Sequence, residues 1–118
     1  AMKEESAYLK KHSPFIMMAD EAVTDTADFN ELKKAFDGIN MKLMKAGGYV
    51  NGLRLLKEAR MNNMKTMIGC MVETTLGISS AMNLCALTDY VDLDSFILLK
   101  EEPFGLIREE KGVLRGMK

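Results

Sequence analysis

Four short apolar runs punctuate the chain: FIMM at 15–18, INMKLM at 39–44, KTMIG at 65–69 and YVDLD at 90–94. Between successive runs lie longer segments with helical character. Phe29, Leu32, Ala35 and Phe36 form an apolar stripe within residues 25–36, behind an acidic start of the kind that caps a helix. Leu53, Leu56 and Ala59 do the same within 50–60, and residues 74–87 are rich in small side chains that let a helix pack closely. The runs begin about 25 residues apart, the length of a strand plus a returning helix. The pattern therefore predicts an α/β fold of about four parallel βα units joined by helical crossovers. No linker rich in Pro, Gly or Ser divides the chain. Residues 1–13 read as the end of a helix preceding the first strand, 14–97 as the βα units, and 98–118 as a polar, irregular tail in which 113–115 can add a short strand.

The second run is anomalous for a buried strand, because it carries lysines and stops at a Gly-Gly pair. In parallel α/β sheets the residues at the carboxyl ends of the strands gather on one rim, and chemistry is sought there. Alternation puts Ile16, Met18 and Asp20 on one face, Asn40, Lys42 and Met44 on the same face of the next strand, and Asp92 with Asp94 on that of the last. The segment GCMVE at 69–73 lies between them, with small side chains that can line a pocket. Plainer readings exist for each residue. A lone Asp at a strand end commonly caps the following turn, a Lys can snorkel from a solvated edge strand, and Asp92 and Asp94 can simply begin a loop. Convergence of three acids and a lysine on one rim and one face favours chemistry. Lys45, three positions beyond Lys42, falls on the opposite strand face or in the loop and reads as structural. His12 precedes the first strand and reads as a surface residue. Asn40, Glu21 and Glu73 are candidate hydrogen-bonding supports behind the site.

Composition narrows the field further. The 118 residues suit one domain and amount to about half of a complete (β/α)8 barrel. Sixteen basic against seventeen acidic residues leave a net charge of -1, which offers no footprint for nucleic acid and no basic stripe for a membrane surface. The longest apolar stretches, such as MIGCMV at 67–72, fall far short of the ~20 residues that span a bilayer, and no secretory signal is evident, so a cytoplasmic location is expected. Cys70 and Cys85 have no metal or redox spacing and are expected as reduced thiols. The eleven methionines, many inside the apolar runs, read as adaptable core filling.

Taken in order, ADE at 19–21, NMKLMKAGG at 40–48, GCMVET at 69–74 and DLD at 92–94 resemble the C-terminal half of an enolase-superfamily barrel of the muconate-lactonizing subgroup. The resemblance runs from about residue 14 to 104 and is greatest to the dipeptide epimerases of the L-Ala-D/L-Glu epimerase type. It implies that the units are strands five to eight of a (β/α)8 TIM barrel. It also implies that Asp20 is a carboxylate ligand of Mg2+, that Lys42 is an acid/base catalyst, and that Cys70 and Met71 lie beside the substrate. Asp92 and Asp94 would hold the α-ammonium of a dipeptide such as L-Ala-L-Glu during 1,1-proton transfer at its α-carbon. In the family the partner lysine, two further Mg2+ carboxylates and a capping domain precede the segment represented here. The chain alone is thus expected to be inactive, and to pair with a missing N-terminal half or with a copy of itself across its open edges. Three alternatives stand beside this reading. One is a cycloisomerase or o-succinylbenzoate synthase half, whose substrates lack an α-ammonium. The others are a non-catalytic half-barrel and a flavodoxin-like receiver domain, which needs a phosphoacceptor Asp where the third strand here ends in Cys70 and Met71.

Overall fold

The computed structural model describes residues 2–117, with side chains from residue 4. In chain order the elements are α1 (Met2–His12), β1 (Met18–Ala19), α2 (Phe29–Ala35), β2 (Gly38–Lys42), α3 (Leu43–Ala46), α4 (Tyr49–Met61), β3 (Lys65–Gly69), α5 (Thr75–Met82), β4 (Tyr90–Val91), β5 (Ile107–Glu110) and β6 (Val113–Gly116). Short 3-10 turns follow α5 at Cys85–Leu87 and β4 at Ser95–Leu98.

Strands β1 to β4 pair in parallel and in chain order, with Ala19 opposite Ile39, Lys42 opposite Gly69, and Ile68 opposite Val91. Sequential order is the signature of a barrel segment. A receiver-type sheet would place its second strand outside the first, so the flavodoxin-like alternative is excluded by topology.

Alternation along β2 separates two environments. Ile39 and Met41 are fully buried, as are Thr66 and Ile68 beside them on β3. In the same core cluster are Phe29 and Leu32 of α2, Leu55, Leu56 and Ala59 of α4, and Ile78 and Ala81 of α5. The opposite face carries the half-buried Asn40 and Lys42. A single strand thus keeps its apolar side chains in the helix layer and its polar ones on the concave side.

Acidic residues just before two of the strands secure the amino-terminal end of the sheet. The Met17 amide donates to Asp37 Oδ2 at 2.8 Å, and the Thr66 amide to Asp89 Oδ2 at 2.9 Å. The Thr66 amide holds the Asp89 carboxyl below its ordinary range. Helix α2 begins at Asp28, whose carboxylate accepts from the Asn30 amide at 2.9 Å.

The structure departs from the sequence reading at several ends. Of the first run only Met18 lies in the paired strand, which continues into Ala19, while Phe15 and Ile16 stay exposed with no layer to cover them. Strand β2 stops at Lys42, where the chain winds into α3, so Met44 leaves the strand face and is exposed. The fourth strand is two residues long, and Asp92 and Asp94 lie beyond it. Of the tail at 98–118, the described residues 98–117 are more regular than expected, since β5 and β6 form an antiparallel hairpin around Lys111 and Gly112, both at positive φ as a two-residue turn requires. Glu102 anchors this segment to α5, accepting from the Thr75 amide at 3.0 Å and the Gly105 amide at 2.6 Å. His12 is exposed, both cysteines are free thiols, and among the described residues no helix is long and apolar enough to cross a membrane.

Burial ranks apolar residues that look alike in the sequence. Ile68→Ala, at a fully buried position, is expected to cost about 2–5 kcal/mol in urea unfolding. Phe15→Ala, at a side chain 77% exposed, is expected to stay within about 0.5 kcal/mol of wild type.

Candidate active site

The carboxyl ends of β1 and β2 bring five side chains together. Asp20 follows the last residue of β1, and the register sets it beside Asn40. Its Oδ2 accepts from Asn40 Nδ2 at 3.3 Å and from Lys42 Nζ at 3.1 Å, while Oδ1 accepts from Lys45 Nζ at 2.8 Å. Lys45 Nζ also donates to Glu21 Oε1 at 2.8 Å. The two lysine side chains are only 15% and 16% exposed, against 40% for Asp20 and 87% for Glu21.

Of the two placements open for Lys45, the far strand face or the segment past the strand, the structure has the second: β2 has ended by then, and the helical turn of α3 swings residue 45 back over the end of β1, where it joins the cluster. The expectation for Glu21 as a hydrogen-bonding support acquires a definite partner in Lys45.

Charge follows geometry. Burial raises the Asp20 carboxyl, but the hydrogen bonds and charges of Lys45 and Lys42 outweigh it and leave the group below its ordinary value. Hydrogen bonds to Asp20 and Glu21 push the Lys45 ammonium above its ordinary value.

Gly69 shapes the other side of Asn40. A Cβ there would come within 2.5 Å of Asn40 Oδ1, so only glycine lets the amide lie across the end of β3. Asn40 Oδ1 is buried and has no hydrogen-bond partner. That is an unfilled acceptor at the mouth.

Asp92 continues the ladder one step past β4, its amide donating to Ile68 O at 2.9 Å. Alternation from the pairing of Val91 with Ile68 turns its side chain to the concave face with Lys42. Burial raises the Asp92 carboxyl, and the charge and hydrogen bonding of Asp94 raise it further, while Lys42 pulls it down. Among the described residues neither Asp92 nor Asp94 forms an ion pair.

A residue absent from the sequence-based list ties β3 to β4. Ser95 Oγ donates to Met71 O at 2.6 Å and accepts from Cys70 Sγ at 3.1 Å and the Glu73 amide at 3.4 Å. The Cys70 thiol therefore points at Ser95 and at Asp92 O, 3.4 Å away. The Met71 side chain is 41% exposed. Burial raises the Glu73 carboxyl, and its Oε1 is buried without a partner. Ser95 directly follows the Asp-Leu-Asp stretch, which is the one sequence signal that pointed to it.

A Mg2+ site does not fit this chain by itself. Among the described residues no group of three or more His, Cys, Asp or Glu side chains could hold a metal ion, and both oxygens of Asp20 already accept from ammonium groups. What the residues do provide is a lysine ion-paired to a carboxylate at a partly covered mouth, with the Asp92 carboxyl turned toward the same face.

Four sequential parallel strands, with Asp20 and Lys42 at their carboxyl ends, define half of a (β/α)8 barrel. The chain belongs to the enolase C-terminal domain-like family, which matches residues 2–103. It is 40% identical over 108 residues to an L-Ala-D/L-amino acid epimerase from Pedosphaera parvula, covering 92% of this chain and 31% of that protein. It is similar to the substrate-liganded L-Ala-D/L-Glu epimerase from Bacillus subtilis, with TM-score 0.83 and 32% identity over 98% of this chain and 34% of that one. A dipeptide epimerase from Cytophaga hutchinsonii complexed with Mg and D-Ala-L-Val shares the fold, with TM-score 0.86, 24% identity and coverage of 98% of this chain and 33% of that one. The chain spans about a third of the length of these relatives.

The ionic cluster implies a pH window. The depressed Asp20 contributes stability above its unfolded value of 3.8 that is lost as pH falls through the lower folded value. The raised Lys45 contributes stability below 10.5 that is lost as pH rises through the higher folded value. Asp20→Asn is expected to lower stability by about 1 kcal/mol at neutral pH, solvent screening having reduced the gain. The difference from wild type should vanish at both extremes in thermal melts run across pH. Gly69→Ala is expected to displace Asn40 and shift the Asn40 side-chain amide resonances in NMR spectra, while Gly112→Ala leaves them in place.

Proposed function

We propose that the chain supplies strands five to eight of the barrel of a dipeptide epimerase, catalysing 1,1-proton transfer at the α-carbon of a dipeptide such as L-Ala-L-Glu. The observation that supports the reading is the covered Lys42 side chain, ion-paired to Asp20, on the concave face toward which Asp92 turns, with Lys42 pulling the Asp92 carboxyl down against burial and Asp94.

In this reading Asp92 and Asp94 receive the substrate's α-ammonium. Their mutual repulsion in the free chain is relieved by an incoming cation, which favours binding of a charged amine over a neutral isostere. A cycloisomerase or o-succinylbenzoate synthase substrate has no such group to offer. Lys42, as the neutral amine, takes the α-proton on one face of the substrate, and the amine becomes an ammonium as the C–H electron pair moves into the adjoining carboxylate system. Return of a proton on the opposite face requires a second acid outside the residues present here. Backbone and small side chains around Cys70 and Met71 flank the substrate. Ser95 and Glu73 hold that segment in place, and Asn40 and Glu21 support Asp20.

Mg2+ is proposed as the cofactor of the complete barrel, where it would stabilise negative charge developing on the substrate carboxylate. Asp20 would contribute one of its carboxylates, with the others coming from outside this chain. On the same reasoning the isolated chain is inactive, and its exposed edge residues Tyr90 and Val91 pair with the remaining part of the barrel or with a second copy.

The test is a chimera in which residues 2–103 replace the matching segment of the Pedosphaera parvula relative, with deuterium exchange at the α-carbon of L-Ala-L-Glu followed by proton NMR in D2O. The chimera is expected to exchange the proton and the chain alone is not. Lys42→Ala is expected to lower the rate roughly 100- to 10,000-fold, and Asp92→Asn to raise KM about tenfold or more through loss of a charge-assisted contact. Exchange that survives Lys42→Ala, or that proceeds with the isolated chain, would contradict the proposal.

A further inference from the structure

Two segments leave the ends of β3 and β4 side by side, and the ladder that joins them stops early. It pairs Met67 with Tyr90 and Ile68 with Val91, and the Asp92 amide adds a last bond to Ile68 O at 2.9 Å. Past that point the hydrogen bonds described between residues 70–73 and 92–95 all run through the side chains of Cys70 and Ser95. One hydroxyl carries most of them. Ser95 Oγ donates to Met71 O at 2.6 Å and accepts from Cys70 Sγ at 3.1 Å and from the Glu73 amide at 3.4 Å. A serine hydroxyl has one proton to give and two lone pairs to receive, so its capacity is used in full.

The two segments are anchored unequally. Leu93 and Phe96, on either side of Asp94 and Ser95, are buried in the core, and Ser95 opens the 3-10 turn of residues 95–98. That backbone is pinned while Asp92 and Asp94 themselves are exposed. On the β3 side no residue between Gly69 and Thr75 is buried, and the side chains of Met71 and Val72 are 41% and 62% exposed. The loose segment is thus tied to the firm one by the Ser95 hydroxyl, with the Cys70 thiol adding a contact of 3.4 Å to Asp92 O.

Resting on the epimerase reading, we propose that Ser95 is a positioning residue: its hydroxyl holds residues 70–73 at a fixed separation from the turn that carries Asp92 and Asp94, and so sets substrate affinity without touching substrate. A dipeptide whose ammonium rests at the two aspartates while its body lies along Cys70 and Met71 contacts both segments at once. If they move independently, binding has to order them first, and that cost appears as lost affinity. Lys42 lies outside the tie. It stands on β2, which is held to β3 by backbone pairing along all of its length, from Gly38 opposite Lys65 to Lys42 opposite Gly69. Loss of the hydroxyl therefore weakens binding and spares the chemical step. It also leaves Met71 O and the Glu73 amide without the partner that joins them.

Two measurements test the assignment. In amide hydrogen exchange of the 118-residue chain followed by NMR, Ser95→Ala is expected to speed exchange at Glu73 about tenfold or more and to shift the Cys70 and Met71 amide resonances. Ser95→Thr, which keeps a hydroxyl, is expected to leave all of them near wild type. So is Ser79→Ala, which removes a hydroxyl that bonds only to Leu76 O on its own helix. An unchanged Glu73 amide in Ser95→Ala would overturn the inference. In the chimera described above, Ser95→Ala is expected to raise KM for L-Ala-L-Glu about tenfold with kcat within about threefold of wild type, and Ser95→Thr to restore KM. A merely structural serine would instead lower the melting temperature and leave KM where it was. An inactive wild-type chimera would overturn the epimerase reading, whereas an active one whose Ser95→Ala variant keeps its KM would overturn this inference alone.

Discussion

The register of β2 between its two parallel neighbours is the constraint on which the site depends. Side chains alternate with a period of two, so a slip of one residue would carry Lys42 into the helix layer and Met41 onto the concave face. Such a slip is heavily disfavoured. Ile39 and Met41 are fully buried between the sheet and helices α2, α4 and α5, and a lysine ammonium in that layer would be desolvated with no partner. The same packing that stabilises the fold therefore keeps the amine of Lys42 at the mouth, beside Asp20 and facing Asp92.

Around that amine the acids are tuned in opposite directions. Asp20 is held below its ordinary value because two ammonium groups and an amide satisfy its oxygens. Asp92 is lifted because it is partly covered and repelled by Asp94, with Lys42 compensating only in part. The Asp20 side of the mouth is paired with two ammonium groups, whereas Asp92 and Asp94 form no ion pair among the described residues. An acyl-transfer or phosphoryl-transfer site would show the reverse need, for donors aimed at a developing anion. The Oδ1 of Asn40 and the Oε1 of Glu73 are buried without hydrogen-bond partners.

Much of the fold was legible in the pattern of apolar residues. The existence and order of the βα units follow from helical stripes alternating with short apolar runs, and the parallel sheet in chain order agrees with them. Strand ends were less legible, because pairing stops where covering layers stop. Phe15 and Ile16 look like strand residues but have nothing packed on them, and the fourth strand pairs over only two residues. The hairpin from Ile107 to Gly116 was half seen. Its second strand was anticipated, whereas its first, IREE, carries three charged residues and offers no apolar alternation. Glu102, which ties the segment to α5, is an unremarkable surface acid in the sequence.

For the site, the amino-acid sequence by itself determined which residue types stand at the strand ends: Asp20, Asn40 and Lys42 gather on one face because alternation is a local property of extended backbone, whereas Asp92 and Asp94 lie beyond β4 and Asp94 is no longer extended. Only the tertiary structure decided how their charges are apportioned. Lys45 joins the cluster because α3 turns the chain immediately after Lys42, and Ser95 joins the ends of β3 and β4 because two loops distant in sequence meet there. Neither consequence is written in any local period, since each depends on where a second segment lies in space.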